Sequence, residues 1–265
     1  MDGLDVLAVL LCVLVFLTGM VVFSFLNVVI YRLPKKQDFV KGRSFCPSCG
    51  CQLRGYDMIP VLSWILLRGR CRNCGGRISF RYPLMEVAGG LLCLLCLYRF
   101  GRWNGFFYQI SGEMLLAFCV ISVLAVIFWI DFDTMEIPNG LTAVLIIPAI
   151  LSLAVMDGPG LLSRVIGFFS VSLPMLLLTM AVDQAFGGGD IKLMAVIGFF
   201  LGWKMCLTAF FLAILIGGVY GIAVLLLKRK GRKDHFAFGP CLCVGTVLAM
   251  IWGEQLLGWY LSLIL

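Results

Sequence analysis

The sequence predicts an all-α fold, a polytopic membrane helical bundle of about eight spans carrying one small cysteine-rich loop domain. Three observations predict it. Of 265 residues 62% are hydrophobic and only 13% charged, and mean hydropathy is +1.04, against roughly half apolar and a quarter charged in soluble domains. The apolar residues gather into runs near the roughly 17–25 residues that a helix needs to cross the hydrocarbon. One sizeable polar insert, residues 32–82, interrupts them.

In chain order the spans are expected at about 6–31, 83–98, 112–130, 137–156, 162–182, 190–203, 205–227 and 239–263. The first opens with acids rather than bases, and its apolar stretch is too long for the core of a secretory signal, so it reads as a retained span. The sixth is short. From Asp190 to Lys204 it offers some 13 residues, about 20 Å of helix, where a crossing takes roughly 30 Å, which predicts a thinned or water-filled region beside it. No internal repeat or low-complexity tract stands out, and the chain divides into a first span (1–31), a loop (32–82) and a bundle (83–265).

Charge orients these elements. Eleven of the 21 Lys and Arg lie in 32–81 and five in "KRKGRK", 228–233. With eight spans and the N-terminus outside, both segments share one side with Lys192, leaving Arg99, Arg102, Arg164 and Lys204 opposite. The positive-inside rule makes the basic side cytoplasmic. Nucleic-acid binding is the other reading of a basic loop; without aromatic interleaving or a binding motif, nucleic acid is set aside as a partner, and the lipid bilayer is retained.

Of the twelve cysteines, five fall in that loop, on the reducing side where disulfides are rare. The pattern is "CPSC" at 46–49 and "CRNC" at 71–74, with Gly50 and Gly75 directly after. Two CxxC turns aim four thiolates at one point, the tetrahedral sulfur site that Zn²⁺ prefers. Cys46, Cys49, Cys71 and Cys74 are therefore the expected ligands of a structural zinc ion, closed to water and stabilising the loop rather than doing chemistry. Cys51 is a competing ligand with the wrong spacing. Cys93 and Cys96 repeat the motif inside a span without a partner pair and read as core packing, and Cys12, Cys119, Cys206, Cys241 and Cys243 as small apolar fillers.

Carboxylates in or beside spans are costly, hence functional candidates. In "FWIDFDTMEIPNG", 128–140, Asp131 ends the third span, while Asp133 and Glu136 fall in the turn before Pro138. Asp190 closes "FGGGD" at the start of the sixth span, on the same membrane face, and Asp183 lies on that side too. Asp157, in "MDGPG", reads as a turn residue of an opposite loop, and Glu113 as a helix-start acid favoured by the dipole. Two carboxylates brought together, one ionised and one protonated, are what an aspartic protease uses to activate water and polarise a carbonyl. The same pair could bind a cation or relay protons in a carrier.

Four stretches together resemble the bacterial type IV prepilin peptidases, GxGD-type membrane aspartic proteases: "FSFLNVVIYRLP" (23–34), the double-CxxC loop running through "IPVLSWILLRGRCRNC" (59–74) to "RYPLMEV" (81–87), "IDFDTMEIPN" (130–139) and "GGGDIKLMAVIG" (187–198). With "FAFGPCL" (236–242) the resemblance spans nearly the whole chain. It implies that Asp131 and Asp190 are the catalytic pair, with Asp133 the second candidate for the first role. It further implies cleavage of prepilin or secretion pseudopilin leaders at the cytoplasmic face of the bacterial inner membrane. N-methylation of the new N-terminus with S-adenosylmethionine is implied by the resemblance alone. "QLRGYDMIP" (52–60) departs from the family's Trp-Tyr-Glu-Asn-like run, keeping Tyr56 and an acid at Asp57. Glu86 fits the family pattern either in methyl-transfer chemistry or as a helix-start carboxylate.

The competing class is an ion- or proton-coupled carrier with a metal-sensing loop. Against it, both acids fall near one face rather than the midplane, and the halves show no hydropathy repeat. A third reading is a non-catalytic scaffold of a pilus assembly machine.

Overall fold

The structure, a computed structural model, describes residues 3–39, 42–182, 185–226 and 237–264. The basic stretch 228–233 and Asp183 lie outside the described residues. The elements are α1 (Gly3–Arg32), a 3-10 turn (Gly55–Met58), α2 (Leu62–Leu66), α3 (Arg81–Phe100), a short hairpin β1 (Arg102–Trp103) and β2 (Tyr108–Gln109), then α4 (Gly112–Thr134), α5 (Asn139–Val155), α6 (Leu161–Ser170), α7 (Ser172–Ala181), α8 (Gly188–Leu226) and α9 (Gly239–Ile264).

Six helical stretches among the described residues are long and apolar enough to cross a membrane: Val6–Arg32, Arg81–Phe100, Gly112–Thr134, Leu161–Ala181, Gly188–Ala223 and Gly239–Leu263. A seventh apolar helix, Asn139–Val155, is shorter. The all-α, multi-pass expectation holds. The fifth expected span is built from α6 and α7, and the sixth and seventh fall within α8.

α8 is not one straight rod. Gly202 has φ +75° and ψ 168° inside it, and the Cys206 Sγ lies 4.0 Å from the Met194 carbonyl oxygen. Twelve residues of continuous helix would separate those positions by about 18 Å. The chain therefore reverses at Gly202, and α8 has two antiparallel arms. Only glycine suits the turn, since a β-carbon there would sit 2.8 Å from both Pro159 Cβ and Ser163 Oγ.

The chain forms two compact units, Met1–Met114 and Leu115–Leu265. In the first, α1 packs on α3 through small residues: a β-carbon on Gly89 would collide with Phe23, and one on Gly90 would lie 2.5 Å from the Phe16 ring. Close backbone approach of this kind is how apolar helices associate in lipid. Cys93 and Cys96 are buried in the core of this unit as expected. The loop between the helices is fastened by Arg32, buried, whose guanidinium donates to the carbonyls of Asp38 and Arg43, both at 3.0 Å.

In the second unit α8 is the hub, with α5, α6, α7 and α9 all against it. Gly167 of α6 meets Gly198 of α8 backbone to backbone. Arg164 is 1% exposed and ties the reversal together. It donates to the carbonyls of Pro159 at 2.9 Å and Phe200 at 3.0 Å, and to Ser152 Oγ at 2.6 Å. The last carbonyls of a helix lack intrahelical partners, and Arg164 supplies them at the end of the first arm. Cys206, Cys241 and Cys243 are buried fillers, whereas Cys12 and Cys119 are exposed and fill nothing in the protein itself.

Candidate active site and metal centre

Asp131 stands in the last turn of α4 and is buried. Helix α4 stops three residues later, where Thr134 Oγ1 turns back to the Ile130 carbonyl at 2.8 Å. Met135 then takes a left-handed φ of +56°, and Pro138 caps α5 in extended geometry. Asp133 falls in the last turn of α4 rather than in the turn after it, where Glu136 lies, and both are exposed.

Asp190 stands in the first turn of α8, also buried. Its carboxylate folds back on Gly187, whose backbone N–H donates to it. A β-carbon on Gly187 would lie 3.1 Å from Asp190 Oδ2. At Gly189 a β-carbon would come within 2.8 Å of Ile137 Cβ, while Gly188 has open space around it. The three glycines thus differ. Gly187 makes room for the acid itself, Gly189 for Ile137, and only Gly188 leaves free room.

The start of α9 completes the site. The Gly239 N–H donates to the Asp131 carboxylate, and a β-carbon on Gly239 would stand 2.5 Å from Asp131 Oδ2 and 3.2 Å from Ile137 Cδ1. Ile137 thus lies between the glycine beside one acid and the glycine beside the other. The two carboxylates act on each other electrostatically, and the buried Cys243 feels both. Lys192 Nζ donates to Asn139 Oδ1 at 2.8 Å and ties the second turn of α8 to the first residue of α5. Sequence reasoning missed the part played by Gly239 and Ile137.

In the first unit the Sγ atoms of Cys46, Cys49, Cys71 and Cys74 all lie within 4.8 Å of one another, with Cys46 and Cys74 at 4.0 Å. A tetrahedron with Zn–S of about 2.3 Å has edges of about 3.8 Å, so the donor set fits that ion. The two turns are built alike. Cys46 N–H donates to the Cys51 carbonyl at 2.9 Å and Gly50 N–H to Cys46 at 2.8 Å; Cys71 N–H donates to Gly76 at 2.8 Å and Gly75 N–H to Cys71 at 2.9 Å. Gly50 and Gly75 have matching left-handed φ of +69° and +68°. Cys51 lies outside the cluster, its Sγ accepting from Asn73 Nδ2 at 2.8 Å.

Backbone N–H groups of Cys49 and Ser48 lower the Cys46 thiol to about 6. Cys49, despite the Cys51 N–H, is pushed up to about 12 by burial and by the neighbouring Cys74 and Cys46 sulfurs. Thiolates this close repel one another, and a divalent cation removes that repulsion.

Glu86, in the second turn of α3, is buried, and its Oε2 accepts the Val61 N–H at 2.7 Å. Val61 has φ +60°, an outlying conformation for a β-branched residue. Glu86 is thus neither a cap of its own helix nor free in solvent; it fixes the loop before α2. Asp57 pairs with Arg72 at 2.9 Å.

Two family models match the chain: the bacterial peptidase A24 N-terminal domain over residues 17–100 and the type IV leader peptidase family over 118–222. The chain is similar to a prepilin leader peptidase/N-methyltransferase of Bacillus subtilis (strain 168), 34% identical over 258 residues, covering 95% of this chain and 98% of that protein. It is similar to proteins of the same name from Myxococcus xanthus (strain DK1622), 39% identical with coverage of 85% and 67%, and from Aeromonas hydrophila, 32% identical with coverage of 94% and 93%. No solved structure matches.

Proposed function

The chain belongs to the prepilin leader peptidase/N-methyltransferase family, and on that premise we propose that it cleaves the leader of type IV prepilins or pseudopilins with Asp131 and Asp190 as the catalytic pair. The observation that carries the assignment is a pair of buried carboxylates, one at the end of α4 and one at the start of α8, near enough to act on each other, with Ile137 packed between the glycines beside them. One ionised carboxylate takes a proton from the attacking water. The other, protonated, gives its proton to the scissile carbonyl oxygen; as the C–N bond breaks, the first passes the water's proton to the leaving amine and the second regains one from the gem-diol hydroxyl. Asp133 is exposed and is assigned no such role. The open flank at Gly188 suits an extended substrate segment beside Asp190.

Cys46, Cys49, Cys71 and Cys74 hold a structural zinc ion that cross-links the loop. The basic residues of 32–81 and 228–233 favour placing the loop and the aspartates on the cytoplasmic side of the inner membrane, with eight spans and the N-terminus outside. In this reading 1–31 is the first span, 32–82 the zinc loop and 83–265 the catalytic bundle.

N-methylation of the new N-terminus, with S-adenosylmethionine as the donor, follows the relatives' shared name. The apolar groove of about 380 Å³ lined by Ala8, Val9, Cys12, Val13, Phe16 and Leu94 does not fit that charged molecule, having no polar lining. No support favours the carrier alternative. Co-expression with a leader-bearing pilin, followed by mass spectrometry of the pilin N-terminus, tests the function. The expected product lacks the leader and carries one added methyl group. An intact leader overturns the proposal.

A further inference from the structure

The short helix α2 presents an apolar face to the outside. Leu62, Ile65 and Leu66 are 56%, 60% and 73% exposed, and at spacings of three and four they share one side of the helix. Ile59 and Met58 before it, and Phe80 beside it, are exposed as well. Phe80 meets Trp64 edge to face with centroids 5.5 Å apart, and Trp64 Nε1 donates to the Ile78 carbonyl at 3.1 Å, so the patch is rigidly mounted. A contiguous apolar patch of this kind marks an interaction surface.

Its height above the membrane is fixed by Glu86. The Val61–Glu86 hydrogen bond, 2.7 Å, fastens the residue before α2 to the second turn of α3. Helix α3 is long and apolar enough to span a bilayer and begins at Arg81. Glu86 lies five residues further on, about 8 Å along the axis. Helix α2 therefore starts near the level where the span enters the bilayer, within a turn of Tyr82 in the first turn of α3, and does not project into bulk water. Trp and Tyr favour that depth.

The surroundings are cationic. Arg68 and Arg70 follow α2 directly, Lys35 and Lys36 follow α1, and all four are exposed. In 32–81 eleven Lys and Arg face two acids, Asp38 and Asp57, and Asp57 is already paired with Arg72. An apolar helical face at the height of the headgroups, rimmed by Arg and Lys, is complementary to an anionic lipid surface.

We propose that α2, with Phe80, is an interfacial anchor that seats the cysteine loop on anionic phospholipid, Leu62, Ile65 and Leu66 entering the acyl boundary and Arg68 and Arg70 meeting phosphate. The test places the photo-reactive residue p-benzoylphenylalanine at position 66 (Leu66→p-benzoylphenylalanine) of the full chain in phosphatidylcholine vesicles containing phosphatidylglycerol, with Asn73→p-benzoylphenylalanine as the site away from the patch. Irradiation is expected to yield phospholipid adducts at position 66 and few at 73. Cross-links from 66 to a second copy, to another protein, or to no lipid would overturn the anchor. For the unaltered protein, amide hydrogen exchange over 62–67 is expected to slow about fivefold when phosphatidylglycerol is added to phosphatidylcholine, the factor for one basic residue near a charged surface. Equal exchange in the two membranes would overturn the anionic preference.

Discussion

Gly239 stands so close to Asp131 that a β-carbon built on it would lie 2.5 Å from Oδ2. The glycine is required by the acid, since its N–H donates to that carboxylate and any side chain would displace it. Gly239→Ala is expected to lower leader cleavage by about a hundredfold, the cost of an ångström-scale misplacement of a reacting group. A cleavage time course on membranes with matched protein amounts checks this.

The glycines before Asp190 are expected to differ in the same assay. Gly189→Ala meets Ile137 Cβ at 2.8 Å and Gly188→Ala meets nothing. The first variant should lose most cleavage through the displaced Ile137, and the second should lose less, since a methyl group there narrows only the flank proposed for the substrate. Adding Ile137→Ala to Gly189→Ala should restore part of the loss, because the clash and its relief belong to one pair.

Arg164 has a structural role at the reversal of α8. Removing its guanidinium leaves the carbonyls of Pro159 and Phe200 without a donor in a buried place. Arg164→Met is expected to cost about 2–6 kcal/mol, since each of the two unsatisfied buried acceptors costs about 1–3 kcal/mol. Thermal unfolding in detergent should show the lower midpoint, with Arg164→Lys falling between the two.

The metal centre makes a discriminating prediction among cysteines. Purified protein should carry about one zinc per chain, and Cys71→Ser should lower that content. Cys51→Ser should leave it unchanged, because Cys51 lies outside the cluster and engages Asn73. Elemental analysis of each variant reads this directly.

Glu86→Gln retains an oxygen acceptor for the Val61 N–H, whereas Glu86→Ala does not. A positioning role predicts that Gln keeps residues 59–66 protected in hydrogen exchange and keeps methylation, and that Ala loses both. Loss of methylation in the Gln variant with the loop still protected would assign Glu86 to chemistry instead.

Much of this architecture is legible in the sequence because lipid imposes a length on every apolar run, and the double CxxC imposes a geometry on its loop. Asp131 and Asp190 could be singled out because a buried acid is costly and each lay at a helix end. What stayed hidden depends on packing between distant segments. The reversal at Gly202 rests on Pro159, Ser163 and Arg164, thirty-eight to forty-three residues earlier. Gly239 could not be read as a neighbour of Asp131 because nothing local to "FGPC" points to an acid more than a hundred residues away. The three glycines at 187–189 look interchangeable in sequence and are separated only by what each faces. Arg164, counted among the basic residues of the opposite side, is a buried tie between helices.

The most direct test of the catalytic pair is mass spectrometry of a co-expressed pilin N-terminus with Asp131→Asn, Asp190→Asn and Asp133→Asn variants. The pair predicts an intact leader with either of the first two and a processed N-terminus with Asp133→Asn. Normal cleavage by either Asp131→Asn or Asp190→Asn would contradict it.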